Sequence, residues 1–317
     1  MLSIITTTYN HRDTIARTIK SIIRQSHQDW ELLIVNDGCV YDLPSILKEF
    51  TDSRIRLFTH PTNLGPNAAR NTALDNVRGE WFTLLDDDDE LIGDDALRTL
   101  MAVPATIDPS IDAVTCNCLD GASGEFTGFG LDHDQYLDWV TILTKCSGEF
   151  WGITKTSLLG GDRFNPQTRG LEGLLWHKID KRARRYYIHR ACRIWHTEGE
   201  NRITREKVGD SAAKALIYRS YKSLFAEERE YLNDLEAYAP EVYMNTLYNA
   251  GLCFVQNNDR ARSFQIFREM ASHKHHFFRK CLLLAGTVAG EPLLNALGEL
   301  KRILRRMVPA RNQTAVS

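Results

Sequence analysis

Four short apolar runs, each ending in a polar cluster, organise the first hundred residues. LSIITTT (2–8) runs into Tyr9 and Asn10, and ELLIV (31–35) into Asn36-Asp37-Gly38. RIRLFTH (54–60) ends in His60 to Asn63, and WFTLL (81–85) in Asp86–Asp89. Between the first two runs, Ile15, Ile19, Ile22 and Ile23 recur at helical spacing behind Asn10, which reads as a helix cap. Leu43–Phe50 and Pro66–Val77 read as two more helices. This βαβαβαβ order predicts a mostly parallel sheet covered by helices, an α/β fold. Such sheets bind ligands at the carboxyl ends of their strands. The four polar clusters sit at those ends, so they are expected to converge on one site.

From about residue 112 the rhythm changes. DAVTCNC (112–118), FWGITK (150–155) and YYIHRACRIWH (186–196) read as strands. Gly121–Gly130 reads as turns and Leu171–Ala183 as a helix. Beyond about 205 only helical spacing remains, over Tyr243–Phe254, Arg260–Ala271, Phe278–Ala289 and Leu293–Met307. Residues 248–270 have the small-and-aromatic rhythm of one helical-hairpin unit. The chain thus divides into an α/β domain over 1–204 and a helical region over 205–317.

Composition narrows the function. A net charge of -2 on 317 residues gives no electrostatic footprint for nucleic acid. Seven cysteines without a CxxC pair argue against a disulfide framework or zinc knuckle and fit a reducing cytoplasm. Met1 leads into LSIITTT with neither a basic segment nor a cleavage site, which predicts no leader peptide. The longest apolar run, Cys281–Gly290, is about half of the ~18–20 residues needed to span a bilayer. Five cations and no acid between Lys301 and Arg311, interleaved with Ile303, Leu304, Met307 and Val308, fit either contact with anionic lipid or a solvated helix end with a frayed terminus. Neither GxGxxG after the first strand nor GxxxxGK[ST] occurs. A bound diphosphate would need another counter-charge, and a divalent cation held by carboxylates would supply it. That gives the five acids of WFTLLDDDDELI (81–92) a reason to sit together.

At this level the chain resembles the family 2 glycosyltransferases, which have the GT-A fold. The resemblance runs over roughly 1–200, through seven segments in the expected order. They are SIITTTYNH (3–11), ELLIVNDG (31–38), NLGPNAARN (63–71), GEWFTLLDDDDEL (79–91), FWGITKTSLL (150–159), RGLEGLLW (169–176) and RIWHTEGENRITR (193–205). Two positions depart from the family pattern. Asn36 stands where the second strand usually ends in a first aspartate. Leu171-Glu172 stands where the base segment usually reads Glu-Asp.

The resemblance implies a metal-dependent, inverting transfer of a sugar from a nucleotide-diphosphate donor to an acceptor hydroxyl. The acceptor would be a saccharide or a lipid-linked saccharide, as in surface polysaccharide synthesis. It sets Asp88 and His196 as ligands of Mn²⁺ or Mg²⁺. It sets Thr8, Tyr9, Asp37, Asn67, Arg70, Asp86 and Asp87 against the nucleotide sugar, and Glu172 as general base. Trp151 and Trp176 would offer faces to the acceptor sugar, or else pack in the core, the more common fate of tryptophan. Spacing alone does not choose between 86/88 and 87/89; the family pattern L-D-x-D-D selects 86 and 88. The remaining acids would be solvated, or Asp89 would cap the next helix. A cytoplasmic protein, peripheral on the membrane, is implied. Two other readings compete: a non-catalytic nucleotide-sugar-binding module with a helical interaction tail, and a nucleotidyltransferase, which lacks its glycine-rich basic loop here.

Overall fold

The computed structural model describes residues 1–168, 171–196, 211–273 and 276–290. The predicted helix over Leu293–Met307 and the basic stretch from Lys301 lie outside them. The chain divides into two compact units, Met1–Asp210 and Ser211–Ser317.

The first unit opens with β1 (Leu2–Thr8), α1 (Arg12–Ile23), β2 (Trp30–Asn36), α2 (Leu43–Leu47), β3 (Ile55–Thr59), α3 (Pro66–Leu74) and β4 (Trp81–Leu84). β5 (Glu90–Leu91), α4 (Ala96–Thr106), β6 (Ala113–Asp120), β7 (Gly128–Phe129), β8 (Gln135–Leu137) and α5 (Trp139–Lys145) follow. β9 (Ser147–Gly148), β10 (Phe150–Lys155), α6 (Gly173–Asp180) and β11 (Arg185–Trp195) complete it. The main sheet runs β3-β2-β1-β4-β10-β6-β11-β5, with β8 beside β11. β3, β2, β1 and β4 are mutually parallel, whereas β10 is antiparallel to both its neighbours. The predicted α/β fold with a mostly parallel sheet is therefore present.

The sheet buries both faces, as its nearly continuous apolar strands require. On one face Ile4, Ile15, Ile19, Ile22, Leu32 and Ile34 pack with Leu97 and Leu100. On the other, Ile5, Leu33 and Val35 meet Ala69, Ala73, Phe82 and Leu175. Cys116 and Cys118 are buried in the first of these cores and act as packing residues. Parallel β11 departs from regular register against β6 on both sides of Ala191. Cys116 pairs with Ile188 and Cys118 with Arg193. Ile188 and Arg193 are an odd number of residues apart, so strict alternation would put them on opposite faces; the bulges bring both to one.

Asn10 does not cap α1. His11 occupies that position, and Asn10 has φ 61. Its Oδ1 accepts from the Val40 N–H at 2.9 Å, so it ties the loop after β1 to the loop after β2.

The second unit holds α7 (Ser211–Glu227), α8 (Arg229–Tyr238), α9 (Pro240–Gln256), α10 (Arg260–Ala271) and α11 (Phe277–Ala289). The expected hairpin is α9–α10, turning through Asn258 at φ 57. Gly251 lets α9 approach α11 closely: a Cβ there would lie 2.6 Å from Leu283 Cδ2. No described helix is long and apolar enough to cross a membrane.

Candidate active site

Parallel pairing brings the strand ends together before any side chain is considered. Thr8 faces Asn36 across β1 and β2, and the Asp37 N–H donates to the Thr8 carbonyl at 2.9 Å. The Leu85 N–H donates to Ile5 at 2.9 Å, which draws the end of β4 to the same edge. Thr8 is buried, and Tyr9 beside it is exposed.

Asp37 anchors the loop that follows β3. Its Oδ1 accepts from His60 Nδ1 at 2.7 Å and the Leu64 N–H at 2.9 Å, and its Oδ2 accepts from the Gly65 N–H at 2.9 Å. Asn36-Asp37-Gly38 also closes a turn: Asn36 Oδ1 accepts from the Cys39 N–H at 2.8 Å. Gly38 has φ +77, and a Cβ on it would lie 2.5 Å from the Thr62 carbonyl carbon. Only glycine allows these two loops to touch.

The acidic stretch divides its charges among different surroundings. Asp87 turns inward and meets His11 Nδ1 at 2.8 Å. Burial pushes its carboxyl up, and His11 partly offsets this. Asp89 is fully buried, 3.4 Å from Arg193 and accepting the His196 N–H at 3.0 Å. Burial raises its carboxyl, Arg193 lowers it, and the charges of Asp86 and Asp88 raise it further. Asp87 and Asp89 are thus not solvated, and Asp89 caps no helix. Asp86 keeps 49% of its side chain exposed, so it remains open to a ligand. Carboxylate oxygens of Asp86, Asp88 and Asp89 lie within 4.8 Å of one another. This all-oxygen set fits a hard divalent cation such as Mg²⁺ or Mn²⁺.

A polar stripe on α1, continued by Gln25 just past the end of the helix, fixes that stretch in place. Arg17 donates to the Asp88 carbonyl, and Thr18 to the Asp89 carbonyl at 2.6 Å. Ser21 accepts the Leu91 N–H at 3.0 Å, and Gln25 accepts the Leu97 N–H at 3.1 Å and donates to Gly93 at 2.7 Å.

Arg70 reaches from the acidic stretch to the expected base. Its guanidinium lies 3.5 Å from Asp86 Oδ1 and 4.0 Å from Glu172 Oε1. Glu172 stands at the N-cap of α6, with 29% of its side chain exposed. Asn67, on the same face of α3, is buried and donates to the carbonyls of Asn165 and Thr168 at 3.0 and 2.9 Å.

Two expected features sit elsewhere. Trp151 is buried and donates to the Leu84 carbonyl at 2.7 Å, so it packs in the core and offers no face to an acceptor. Trp176 is half-buried, stacked on Phe82 at 6.1 Å and edge-on to Phe164 at 6.1 Å, so packing takes up one face of its ring. His196 adjoins the carboxylates through its backbone, while its Nε2 lies 3.2 Å from Glu90 Oε1. The loop after it, residues 197–210, and Arg169 and Gly170 of the base segment lie outside the described residues.

Solved structures show how general this architecture is. Residues 1–349 of S. aureus TarS, in complex with UDP-GlcNAc, match at a TM-score of 0.59 and 17% identity, over 85% of this chain and 90% of that one. The mannosyltransferase PcManGT from Pyrobaculum calidifontis, in complex with GDP-Man and Mn²⁺, matches at 0.51 and 16%, over 91% and 79%. Sheet and neighbours together define the GT-A fold.

The family follows from sequence. Residues 3–118 match the family described as glycosyl transferase family 2. A Campylobacter jejuni relative, GalNAc(5)-diNAcBac-PP-undecaprenol beta-1,3-glucosyltransferase, is 35% identical over 231 residues, 70% of this chain and 72% of its own. Escherichia coli WfgD, a UDP-Glc:alpha-D-GlcNAc-diphosphoundecaprenol beta-1,3-glucosyltransferase, is 39% identical over 89 residues, 28% of this chain and 35% of its own. The chain belongs to glycosyltransferase family 2 and is a glycosyltransferase.

Proposed function

We propose that the enzyme transfers a hexose, glucose foremost, from its uridine diphosphate to a hydroxyl of a saccharide carried on a polyprenyl diphosphate, with inversion. The names of the C. jejuni and E. coli relatives support the donor and the lipid-linked acceptor. The observation that carries the chemistry is Arg70, whose one side chain reaches both Asp86 and Glu172. It brings an acidic cation-binding cluster and a carboxylate base within the span of a single sugar diphosphate.

Asp86, Asp88 and Asp89 would hold Mg²⁺ or Mn²⁺, with His196 as a further ligand from the following loop. Such an ion neutralises the charge that gathers on the leaving diphosphate. Arg70 adds a second positive charge on that side. Asp37, Thr8 and Tyr9 would shape the nucleotide end, Asn67 holds the segment 164–168, and Asp87 holds the acidic stretch to the start of α1 through His11. Glu172 takes the acceptor proton as the acceptor oxygen bonds to the anomeric carbon; the donor carbon–oxygen bond breaks and its electron pair leaves with UDP. Attack from the face opposite UDP turns an α-linked donor into a β-linked product.

The acceptor's lipid tail gives the enzyme reason to work at the cytoplasmic membrane surface. The basic stretch 301–311 would meet anionic headgroups, aided by α11, which exposes Phe277, Phe278 and Val288 and contains no acid.

The test is transfer from a panel of labelled nucleotide sugars to a polyprenyl-diphosphate saccharide with Mn²⁺. A β-linked lipid product from UDP-glucose is expected, reduced about 10²–10⁴-fold in Glu172→Gln with donor binding retained. An α-linked product, or full activity in Glu172→Gln, overturns the assignment.

A further inference from the structure

Glu172 can act as a base only if α6, which carries it, is held still, and α3 holds the segment whose Phe164 packs against that helix. Asn71 meets Phe164 with both ends of its amide. Its Oδ1 accepts the Phe164 N–H at 3.0 Å, and its Nδ2 donates to the Phe164 carbonyl at 2.7 Å. One turn earlier, Asn67 donates to the carbonyls of Asn165 and Thr168. Residues at i and i+4 lie on one helix face, so a single face of α3 satisfies four backbone groups of the segment 164–168. Arg70, between them in sequence, places its guanidinium 5.6 Å from the centre of the Phe164 ring. Asp75, one turn beyond Asn71, pairs with Arg163 at 2.8 Å. Phe164 and Thr168 are buried by these contacts, four residues short of Glu172 at the nearer end.

We propose that Asn71 is a positioning residue for the transfer reaction. By fastening Phe164 to α3 it fixes the ring on which Trp176 of α6 packs, and so the distance from Glu172, at the N-cap of that helix, to the acceptor hydroxyl. This rests on the assignment of Glu172 as the base. The same helix carries Arg70, so donor-side and acceptor-side geometry are set by one rigid element. Asn71 itself touches no reactant: its amide is committed to Phe164. The amide alone has the donor and acceptor to match a backbone N–H and C=O together. Aspartate keeps the acceptor and loses the donor; alanine loses both.

The experiment compares Asn71→Asp and Asn71→Ala with wild type in the full chain. It combines steady-state transfer, calorimetric donor binding and hydrogen exchange. A displacement of about 1 Å at the base is worth roughly 100-fold in rate. Asn71→Ala is therefore expected to lower kcat about 10–100-fold with donor KM and Kd within about threefold, and Asn71→Asp to fall between. Exchange at the amides of 164–168 should rise in the same order, with a matching change in Trp176 fluorescence, since Trp176 packs on Phe164. Wild-type kcat in Asn71→Ala overturns the proposal. So does an equal loss of kcat and donor affinity, which marks a general structural defect. Exchange and fluorescence do not depend on turnover. If the wild-type protein transferred no sugar, the functional reading would fail on its own, and unchanged exchange in Asn71→Ala would separately remove the clamp.

Discussion

Replacing Arg193 by methionine should destabilise the first unit severely. Arg193 is 5% exposed, 3.4 Å from the buried Asp89 and 3.2 Å from Glu149, whose side chain is 47% exposed. The two carboxylates respond differently to its loss. Glu149 can turn to water, whereas Asp89 is left in the interior beside Asp86 and Asp88. Burial outweighs Arg193 and holds the Asp89 carboxyl at about 8; above that pH, unit charges 3.4 Å apart attract by about 5 kcal/mol at an effective dielectric constant near 20, before desolvation is subtracted. Removing one member of a buried pair costs about 3–5 kcal/mol. For a unit of about 200 residues, each kcal/mol moves Tm by about 2–4 °C, so a fall of about 6–20 °C is expected. Thermal unfolding of Arg193→Met, Asp89→Asn and the double variant at about pH 9, where Asp89 is ionised, and without divalent ions, makes the check. The double variant should be more stable than Arg193→Met, with a coupling energy of about 2–3 kcal/mol. A Tm loss under about 3 °C, or simple additivity, refutes the idea that Arg193 makes the buried Asp89 tolerable.

Two further outcomes follow from other parts of the chain. Glu31 is buried and accepts from Ser3 Oγ, Arg56 and the Arg78 N–H, each at 2.7 Å. Burial pushes its carboxyl up, but the three donors outweigh burial and hold it below the usual glutamate range. Between the folded and unfolded values the unfolded chain binds more protons. The stabilisation is therefore complete above about pH 4.3 and is lost as pH falls through the folded value. Glu31→Gln should cost about 2 kcal/mol at pH 7, and its stability should converge on that of wild type in acid; a constant gap in urea titrations between pH 7 and 3 contradicts this. At the membrane, the full chain should sediment with vesicles containing anionic lipid, and Phe277→Ser/Phe278→Ser should release it without altering the circular dichroism. Equal sedimentation of both proteins removes α11 from the contact.

The first four strands were legible because each is an apolar run closed by polar residues, and their observed limits fall within a residue or two of the reading. Their convergence was legible too, since parallel pairing forces it. The insertion of β7, β8, α5 and β9 was not read, because strands of two or three residues have no periodicity to detect. Trp151 and Trp176 carried no sign of which way they face, and the fold turns Trp151 and one face of Trp176 to packing. Arg193 was hidden for a related reason: the bulges in β11 break the alternation from which its face would be inferred. A signal for the α1 stripe did exist. Thr18, Ser21 and Gln25 lie at i, i+3 and i+7, beside the apolar stripe of Ile15, Ile19 and Ile22. Polar residues so close to a core stripe imply a buried polar partner, but only the folded chain shows that partner to be the backbone of 88–97. Asn71 belonged to the recognised segment NLGPNAARN, yet its partner is Phe164, 93 residues away.

The central claim is that the carboxylates after β4 and a nucleotide diphosphate share one divalent cation. Calorimetric titration of UDP into the protein tests it most directly, with Mn²⁺, with chelator, and with Mn²⁺ in Asp88→Ala. Binding should be at least about tenfold tighter with Mn²⁺ than with chelator, a difference of about 1.4 kcal/mol or more, and Asp88→Ala should lose that gain. Equally tight binding in all three titrations would contradict it.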